Sequence, residues 1–408
     1  MKPTEKTKKN SSKVSSRLSL GERVPKLRFP GFEGEWEERT LEKCCRCFDN
    51  KRKPISAELR EKGEVPYYGA NGIQDYVKDF IFNGKFLLLA EDGGHFDEYS
   101  KKPIAQYITG KSWVNNHAHV LSGKDNCLTE YIYFSLVHKD IRKYINGTSR
   151  AKLNQEDMWD IKIHVPQVKL QEKISTFLFL IEERIAAQRK LVELLKKHKR
   201  GLSSALFSGK VRIATNAKWR TYRLGDIVRR VTRKNGKATD IPLTISAQHG
   251  LIDQREFFSK AVASADMSGY YLLKQGEFAY NRSSSGEYPF GSIKKLERYH
   301  QGAVSTLYIC FETLGDKDDA EFLKWYFDSF AWHREIGMIC AEGARNHGLL
   351  NVPTDGFFDT KHILPSDKDE RKKIASLMAL ADARCECAET ELARLMAMKS
   401  GLLQQMFV

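Results

Sequence analysis

The sequence predicts a mixed α/β (α+β) protein with a pseudo-two-fold internal repeat. Two globular domains are separated by a pair of long antiparallel coiled-coil helices. Three observations lead to that fold. The stretch KRGLSSALF at 199–207 returns as KSGLLQQMF at 399–407, with Lys, Gly, Leu and Phe at the same spacing. Upstream of each copy, apolar residues step by four and three along a coiled-coil seam. Each globular stretch also opens on a Trp followed five residues later by Leu: Trp36 with Leu41, and Trp219 with Leu224.

The seam comes first. It reads Ile174, Leu178, Ile181, Ile185, Gln188, Val192, Leu195, Lys199, Leu202, Leu206. Two hundred residues later it reads Ile374, Met378, Ala381, Cys385, Ala388, Leu392, Leu395, Lys399, Leu402, Met406. The heptad phase survives throughout, and a Lys interrupts both copies at the same place. A polar seam residue can fix register, or its aliphatic stem can pass along a rim with the charge in water. Both roles stay open for Lys199 and Lys399.

The remaining elements fall around the helices. Residues 1–23 are basic and Ser-rich and read as a flexible extension. A first domain spans 24–165, a helix 166–209, a linker 210–218, a second domain 219–365 and a second helix 366–408. Each helix follows a short strand stopped by Pro, Asp160-Ile-Lys-Ile-His-Val-Pro166 and Asp359-Thr-Lys-His-Ile-Leu-Pro365. A helix of about 40 residues is about 60 Å long. The linker reaches at most about 35 Å, so the second helix is expected to run back along the first. Within the domains, Lys85–Leu89, Ala118–Leu121 and Thr306–Phe311 read as strands, and 129–145 and 319–338 as helices. Gly84-Lys-Phe86 is matched by Gly276-Glu-Phe278, and otherwise the globular parts diverge.

Composition narrows the class of function. The 408 residues are 41% hydrophobic and 29% charged, with a formal net charge of +15, which argues for a folded protein with a polyanionic partner, nucleic acid before an anionic membrane. The opening residues hold no apolar run of signal-peptide type, and no stretch approaches the roughly 18 apolar residues of a membrane span. Eight cysteines in so long a chain do not form a disulfide framework. A cytoplasmic protein with no membrane partner is expected.

The loops supply candidate DNA contacts. In the first domain these are Lys51, Arg52, Lys53, Tyr68, Asn71, Asn115, Asn116, His117, Ser149, Arg150 and Lys152. In the second they are Arg230, Arg233, Lys234, Lys237, Gln248, His249, Asn281, Arg282, Ser283, Ser284, Arg345, Asn346 and His347. Arg, Lys, Asn and Gln make bidentate contacts to base edges, while Ser, Thr and Lys hold phosphates. Any one such loop reads first as solvated turn; the full set on a basic chain favours nucleic acid.

Signals of catalysis or metal binding fail on inspection. Thr109-Gly-Lys-Ser112 lacks the leading Gly of a phosphate-binding loop, since Ala105 stands there. Cys44-Cys-Arg-Cys47 has no second ligand pair at zinc-finger distance, and Cys385-Glu-Cys387 lies on the second seam. His117-Ala-His119 puts two rings on one strand face but lacks a partner. Asp92-Gly-Gly94 reads as a turn. No metal site and no catalytic residue is expected.

The chain resembles the specificity subunit of Type I restriction–modification systems. The resemblance runs from about residue 23 onward. It rests on the doubled plan, the heptad helices ending K-x-G-L…F, and the phrases Val24-Pro-Lys-Leu-Arg-Phe-Pro-Gly-Phe32, Gly84-Lys-Phe86 and Asn116-His-Ala-His-Val120. It implies two target-recognition domains, each reading half of a split sequence in double-stranded DNA. The helices would set the gap and dock two methyltransferase subunits that carry S-adenosylmethionine chemistry on adenine. Two restriction subunits would supply ATP- and Mg-dependent translocation and cleavage. The chain has no N-P-P-Y or D-P-P-Y motif and no F-x-G-x-G loop, so it is expected to direct catalysis without cofactor or activity of its own. Two features depart from the pattern: residues 1–23 have no counterpart in the second half, and Leu41-Glu-Lys43 lacks the Gly-Asp of Leu224-Gly-Asp226. The alternative is a coiled-coil adaptor with two protein-binding heads; the missing motifs oppose a stand-alone modifying enzyme.

Overall fold

The computed structural model describes residues 24–147, 151–213, 218–246, 249–257, 266–286, 288–340, 348 and 350–407. The extension 1–23 lies outside them. The chain divides into two compact units, Met1–Gln188 with Glu391–Val408, and Arg189–Thr390. Both long helices therefore contribute residues to both units.

The first unit runs β1 (Glu37–Thr40), α1 (Leu41–Cys44), β2 (Cys45–Cys47), β3 (Lys62–Gly69), β4 (Gly72–Val77), β5 (Phe82–Ala90), β6 (Ala105–Val114), β7 (Ala118–Gly123), α2 (Thr129–Leu136), α3 (Gln155–Trp159), β8 (Lys162–Val165) and the start of α4 (Val168–Phe207). Six strands form one sheet in the order β2-β7-β5-β6-β3-β4, antiparallel except for β3 beside β6. The apolar run in β5 buries both faces, as such runs do. Leu87 and Leu89 join the main core with Tyr131, Ile132, Leu136, Ile174 and Leu178. Leu88 joins a second cluster with Phe82, Ile108, Val114 and Val120. Thr109–Ser112 lies in the β5–β6 ladder, where no phosphate-cradling loop exists. Helix α2 stops nine residues short of the expected 145. The Val137 carbonyl accepts the Ile104 N–H at 3.0 Å and His138 Nδ1 meets the Tyr99 carbonyl at 2.6 Å, which pull the chain off the helical path.

The second unit continues with β9 (Trp219–Arg223), β10 (Val228–Arg230), β11 (Leu243–Ser246), β12 (Gly250–Asp253), α5 (Gln254–Phe257), β13 (Tyr271–Lys274), β14 (Phe278–Asn281), β15 (Ser292–Lys295), β16 (Gln301–Val304), β17 (Ile309–Thr313), α6 (Lys317–Asp328), α7 (His333–Ile339), α8 (Thr354–Asp359), β18 (Lys361–Pro365) and α9 (Lys368–Met406). Its sheet is β10-β17-β14-β15, with the hairpin β11–β12 and the antiparallel pair β13–β16, which brackets β14 and β15 in sequence, as separate two-stranded sheets. The expected strand from Thr306 starts only at Ile309. The expected helix 319–338 is two helices, parted at Ser329–Trp332, where Phe330 takes a φ of 63°.

The repeat survives where each domain begins and ends. Strand β1 pairs antiparallel with β8, Glu37 opposite Val165. Strand β9 pairs antiparallel with β18, Trp219 opposite Pro365. The Leu41 N–H donates to the Ile161 carbonyl and the Leu224 N–H to the Thr360 carbonyl, both at 2.9 Å. The recurring Trp–Leu phrase thus marks one strand clasped to the strand that precedes the long helix.

Inside each unit the two long helices lie antiparallel. In the first, Ile174, Leu178, Ile181 and Ile185 of α4 share the core with Leu395, Leu403 and Met406 of α9. Lys399 Nζ meets Glu182 Oε1 at 2.5 Å. In the second, Leu206 shares the core with Ile374 and Met378, and Lys199 pairs with Asp382. Glu182 and Asp382 are repeat equivalents, so the two Lys–carboxylate pairs are the same contact made twice. Val192, Cys385 and Ala388 are buried, whereas Leu195, Leu202, Leu392 and Leu402 are half-buried. The repeated terminal Phe explains the doubled ending. Phe207 packs on Tyr326 at 5.9 Å in the second unit, and Phe407 packs on Tyr131 at 5.5 Å in the first. The phrase 24–32 straps onto the same helix pair: the Leu27 N–H reaches the Gln405 carbonyl at 2.9 Å and Phe29 meets Phe177 edge-on.

His362 on β18 is locked in one tautomer. Thr360 Oγ1–H donates to the Phe357 carbonyl, a pure acceptor, so Oγ1 accepts from His362 Nε2–H at 2.8 Å. Nδ1 is left to accept the Tyr326 hydroxyl, also at 2.8 Å. Burial lowers the His362 pKa from 6.5 to about 4. A depressed folded-state value means the unfolded chain takes up the proton first. Stability is therefore full above about pH 6.5 and falls toward pH 4, by up to about 3 kcal/mol. Urea unfolding followed through the second unit should show this loss, and His362→Gln should flatten the profile; an equal slope in both proteins would count against the locked tautomer.

Candidate nucleic-acid interface

In the first unit the sheet brings most of the expected contact residues into one neighbourhood. The Asn115 N–H donates to the Tyr68 carbonyl at 3.1 Å, the Lys53 N–H to the Val114 carbonyl at 3.4 Å, and the Glu91 N–H to the His117 carbonyl at 2.9 Å. Asp92 bridges to Lys152. Lys51, Lys53, Asn71, Asn116 and Lys152 are exposed, while Tyr68 and His117 are half-buried. Ser149 and Arg150 lie outside the described residues.

Arg52 is not an outward cation. Its Nη1 meets Glu91 Oε2 at 2.5 Å and its Nη2 meets Asp49 Oδ2 at 3.1 Å, and Nη1 also donates to the Ala118 carbonyl at 2.9 Å. The guanidinium fills a ring of acceptors that would otherwise be buried anions. Asn115 is likewise buried and engaged on both sides of its amide.

Beneath Arg52, Asp49, Glu91 and His119 offer ligand atoms within 4.8 Å of one another. Their partners are already present. His119 Nδ1 meets Asp49 Oδ2 at 2.6 Å and Nε2 meets the Leu153 carbonyl at 3.0 Å, and Lys152 Nζ meets Glu91 Oε1 at 3.2 Å. Burial pushes the Asp49 carboxyl up, yet the His119 hydrogen bond, the Val120 N–H and the Arg52 charge outweigh it and hold the group below its ordinary range. The cluster is a salt-linked brace under the loops. Cys47 is no better a ligand, since burial pushes its thiol up to about 12.

In the second unit the expected residues form two bonded groups. Arg230, Arg233, Lys234 and Lys237 are exposed. Arg233 Nη2 pairs with Glu277 at 2.6 Å, and Lys234 lies over the Tyr271 ring. Asn281 Oδ1 caps the Ser283 N–H, and Ser283 and Ser284 are exposed. Arg282 departs from the expected outward role: Nη1 donates to the Val352 carbonyl at 3.2 Å and Nη2 to the Leu307 carbonyl at 2.9 Å, so it stitches loops together. His249 is exposed at the β11–β12 turn. Gln248, Arg345, Asn346 and His347 lie outside the described residues.

The sequence does not single out Asp49, Gln74 or Glu91, and Asp92, read there as part of a turn, also pairs with His117. Asp49 and Glu91 carry no local signal in the sequence; they matter because a buried Arg needs them. Arg52→Met removes the only guanidinium facing Asp49 and Glu91 among the described contacts. It is expected to cost about 3–5 kcal/mol, with Arg52→Lys recovering part. Thermal unfolding that leaves Arg52→Met within about 0.5 kcal/mol of the parent, as for an ordinary surface change, would dismiss the brace.

Several known proteins resemble parts of this chain. Residues 33–197 match the family described as Type I restriction modification DNA specificity domain. A putative type I restriction enzyme specificity subunit of Haemophilus influenzae is 38% identical over 149 residues, 36% of this chain and 37% of that protein. A type I restriction enzyme specificity subunit of Methanocaldococcus jannaschii is 22% identical over 186 residues, 43% of this chain and 42% of that protein. The matches thus span under half the length of these relatives. The S subunit of a type I restriction-modification system from M. genitalium superposes with a TM-score of 0.61 at 16% identity, covering 94% of this chain and 99% of that one; this likeness is one of fold. Among the described residues no helix is long and apolar enough to cross a membrane. Residues 33–197 are thus similar to the Type I restriction modification DNA specificity domain, and the matched stretches are similar to specificity subunits of type I restriction enzymes.

Proposed function

We propose that this chain is the DNA-reading, non-catalytic subunit of a cytoplasmic Type I restriction–modification complex. The match of residues 33–197 to a DNA specificity domain carries the reading. The net charge of +15 supports it, because neutralising phosphates is what makes such binding strong and salt-dependent. Residues 24–165 and 219–365 are two recognition modules of unlike sequence, which suits two unlike half-sites separated by unread base pairs. Exposed Lys51, Lys53, Lys152, Arg230, Lys234 and Lys237 hold phosphates. Asn71, Asn116, His117, His249, Ser283 and Ser284 face bases or the backbone between them. Segments 166–209 and 366–408 set the gap and dock two methyltransferase subunits, which bring S-adenosylmethionine to adenine. Two restriction subunits, with ATP and Mg, complete the assembly.

Mapping modified adenines in a genome with and without the chain, partners present, tests this directly. A bipartite motif should vanish with the chain. Replacing 35–165 by another such module should alter one half-site only; altered bases in both would refute modular reading. Adaptor function predicts no motif and no steep salt dependence of DNA binding.

The gap gives a second test. Four residues inserted into α4, and four at the matching place in α9, lengthen the helices by about 6 Å. The preferred gap should grow by about one or two base pairs at roughly 3.4 Å each, with both half-sites unchanged. An unaltered gap would remove the helices as its determinant.

A further inference from the structure

The first unit carries a cleft of about 370 Å³ lined by Asn71, Gln74, Asp92 and His117, with Ala70, Gly72, Ile73 and Gly93 completing the lining. Its polarity is fixed by the protein's own hydrogen bonds, which can be followed from groups that have only one possible role. The His117 backbone N–H can only donate, and it donates to Asn115 Oδ1 at 2.8 Å. The other end of that amide, Asn115 Nδ2, must then donate, and it reaches Gln74 Oε1 at 3.1 Å. Gln74 therefore turns Nε2, a donor, away from this contact. The Gly93 carbonyl can only accept, and it takes Asn71 Nδ2–H at 2.8 Å, which leaves Asn71 Oδ1 as an acceptor. His117 Nδ1 faces the Asp92 carboxylate, so in the neutral ring Nε2 is a second acceptor. Asn71 and Gln74 are both exposed.

We propose that this cleft receives the major-groove edge of an adenine: Gln74 Nε2–H donates to N7, and Asn71 Oδ1 accepts from the N6 amino group. The assignment rests on the DNA-reading role given above and adds to it the base and the residues that choose it. In the major groove adenine alone presents an acceptor and a donor on one base. Guanine presents two acceptors, thymine one acceptor, and cytosine one donor. One donor beside acceptors therefore discriminates against guanine through unpaired groups. Gly69 is part of the device. A Cβ there would lie 2.3 Å from Gln74 Nε2, so only a bare backbone lets the Gln74 amide lie across it.

The test uses the full chain with its methyltransferase partners. Gln74→Glu keeps an oxygen facing Asn115 but replaces the outward donor by an acceptor. In maps of modified bases, one position of one half-site, other than the modified base, should change from adenine to cytosine or become degenerate. In binding assays with a duplex carrying 7-deazaadenine at that position, which lacks N7, the parent should weaken about tenfold and Gln74→Glu should not respond. Gly69→Ala, which displaces the amide without changing its chemistry, should reproduce the degeneracy with an unchanged melting temperature. Identical motifs for parent and both variants overturn the adenine assignment while leaving DNA reading intact, as do changes in the other half-site. A parent chain that directs no motif at all overturns the DNA reading itself.

Discussion

Two long helices can hold their places only if each keeps its apolar seam covered from end to end, and this constraint organises the chain. A lone amphipathic helix of 40 residues leaves its stripe in water. Each unit answers the problem in the same way, by laying the start of one helix against the end of the other. The half-buried Lys at the same seam position in both copies is matched by a carboxylate of the opposing helix, Glu182 or Asp382. An unmatched charge at either place would be costly, so a slipped register is penalised twice. The aromatic plugs Phe207 and Phe407 close the ends against tyrosines of the globular cores. Helix pairing and domain folding are therefore not separable events in either unit.

The loops of the first unit that carry the proposed DNA contacts depend on a different balance. Loops meant for a polyanion carry cations, and cations held close together repel one another. Here Arg52 and His119 are drawn inward onto Asp49 and Glu91, which leaves Lys51, Lys53 and Lys152 at the surface. The buried charges fix the loop backbones through the Ala118 and Leu153 carbonyls. A loop held in this way meets its target with less conformational freedom left to lose.

The helices, their antiparallel sense and the strand before each were legible because their signals are local and periodic. The seam needs only spacing, and β8 and β18 need only an apolar alternation ended by Pro. The β1–β8 partnership was not legible, since Glu37 and Val165 are far apart in sequence and neither announces the other. The same holds for the candidate interface. Asn71, Asn116 and His117 are candidates by residue type in turn-like context, and the fold leaves Asn71 and Asn116 exposed and His117 half-buried. Arg52, Asn115 and Arg282 were chosen by the same rule, yet tertiary acceptors hold them inside the protein. Gln74 carries no local signal and Asp92 reads only as part of a turn, because their meaning comes from neighbours across the sheet. Residue type reports chemical capacity, and only the fold decides which way it faces.

The clasps β1–β8 and β9–β18 put the two points where the chain leaves and rejoins the scaffold side by side in each half. Everything between them is, for the scaffold, a closed excursion. The entropy of closing such an excursion grows only slowly, about 0.6 kcal/mol for each doubling of its length. Wholly different sequences can thus occupy the same socket with little strain on the helices. A six-stranded sheet fills one and a four-stranded sheet with two separate strand pairs fills the other. The helices can therefore keep one repeated pattern while the globular excursions they carry differ in both sequence and sheet order.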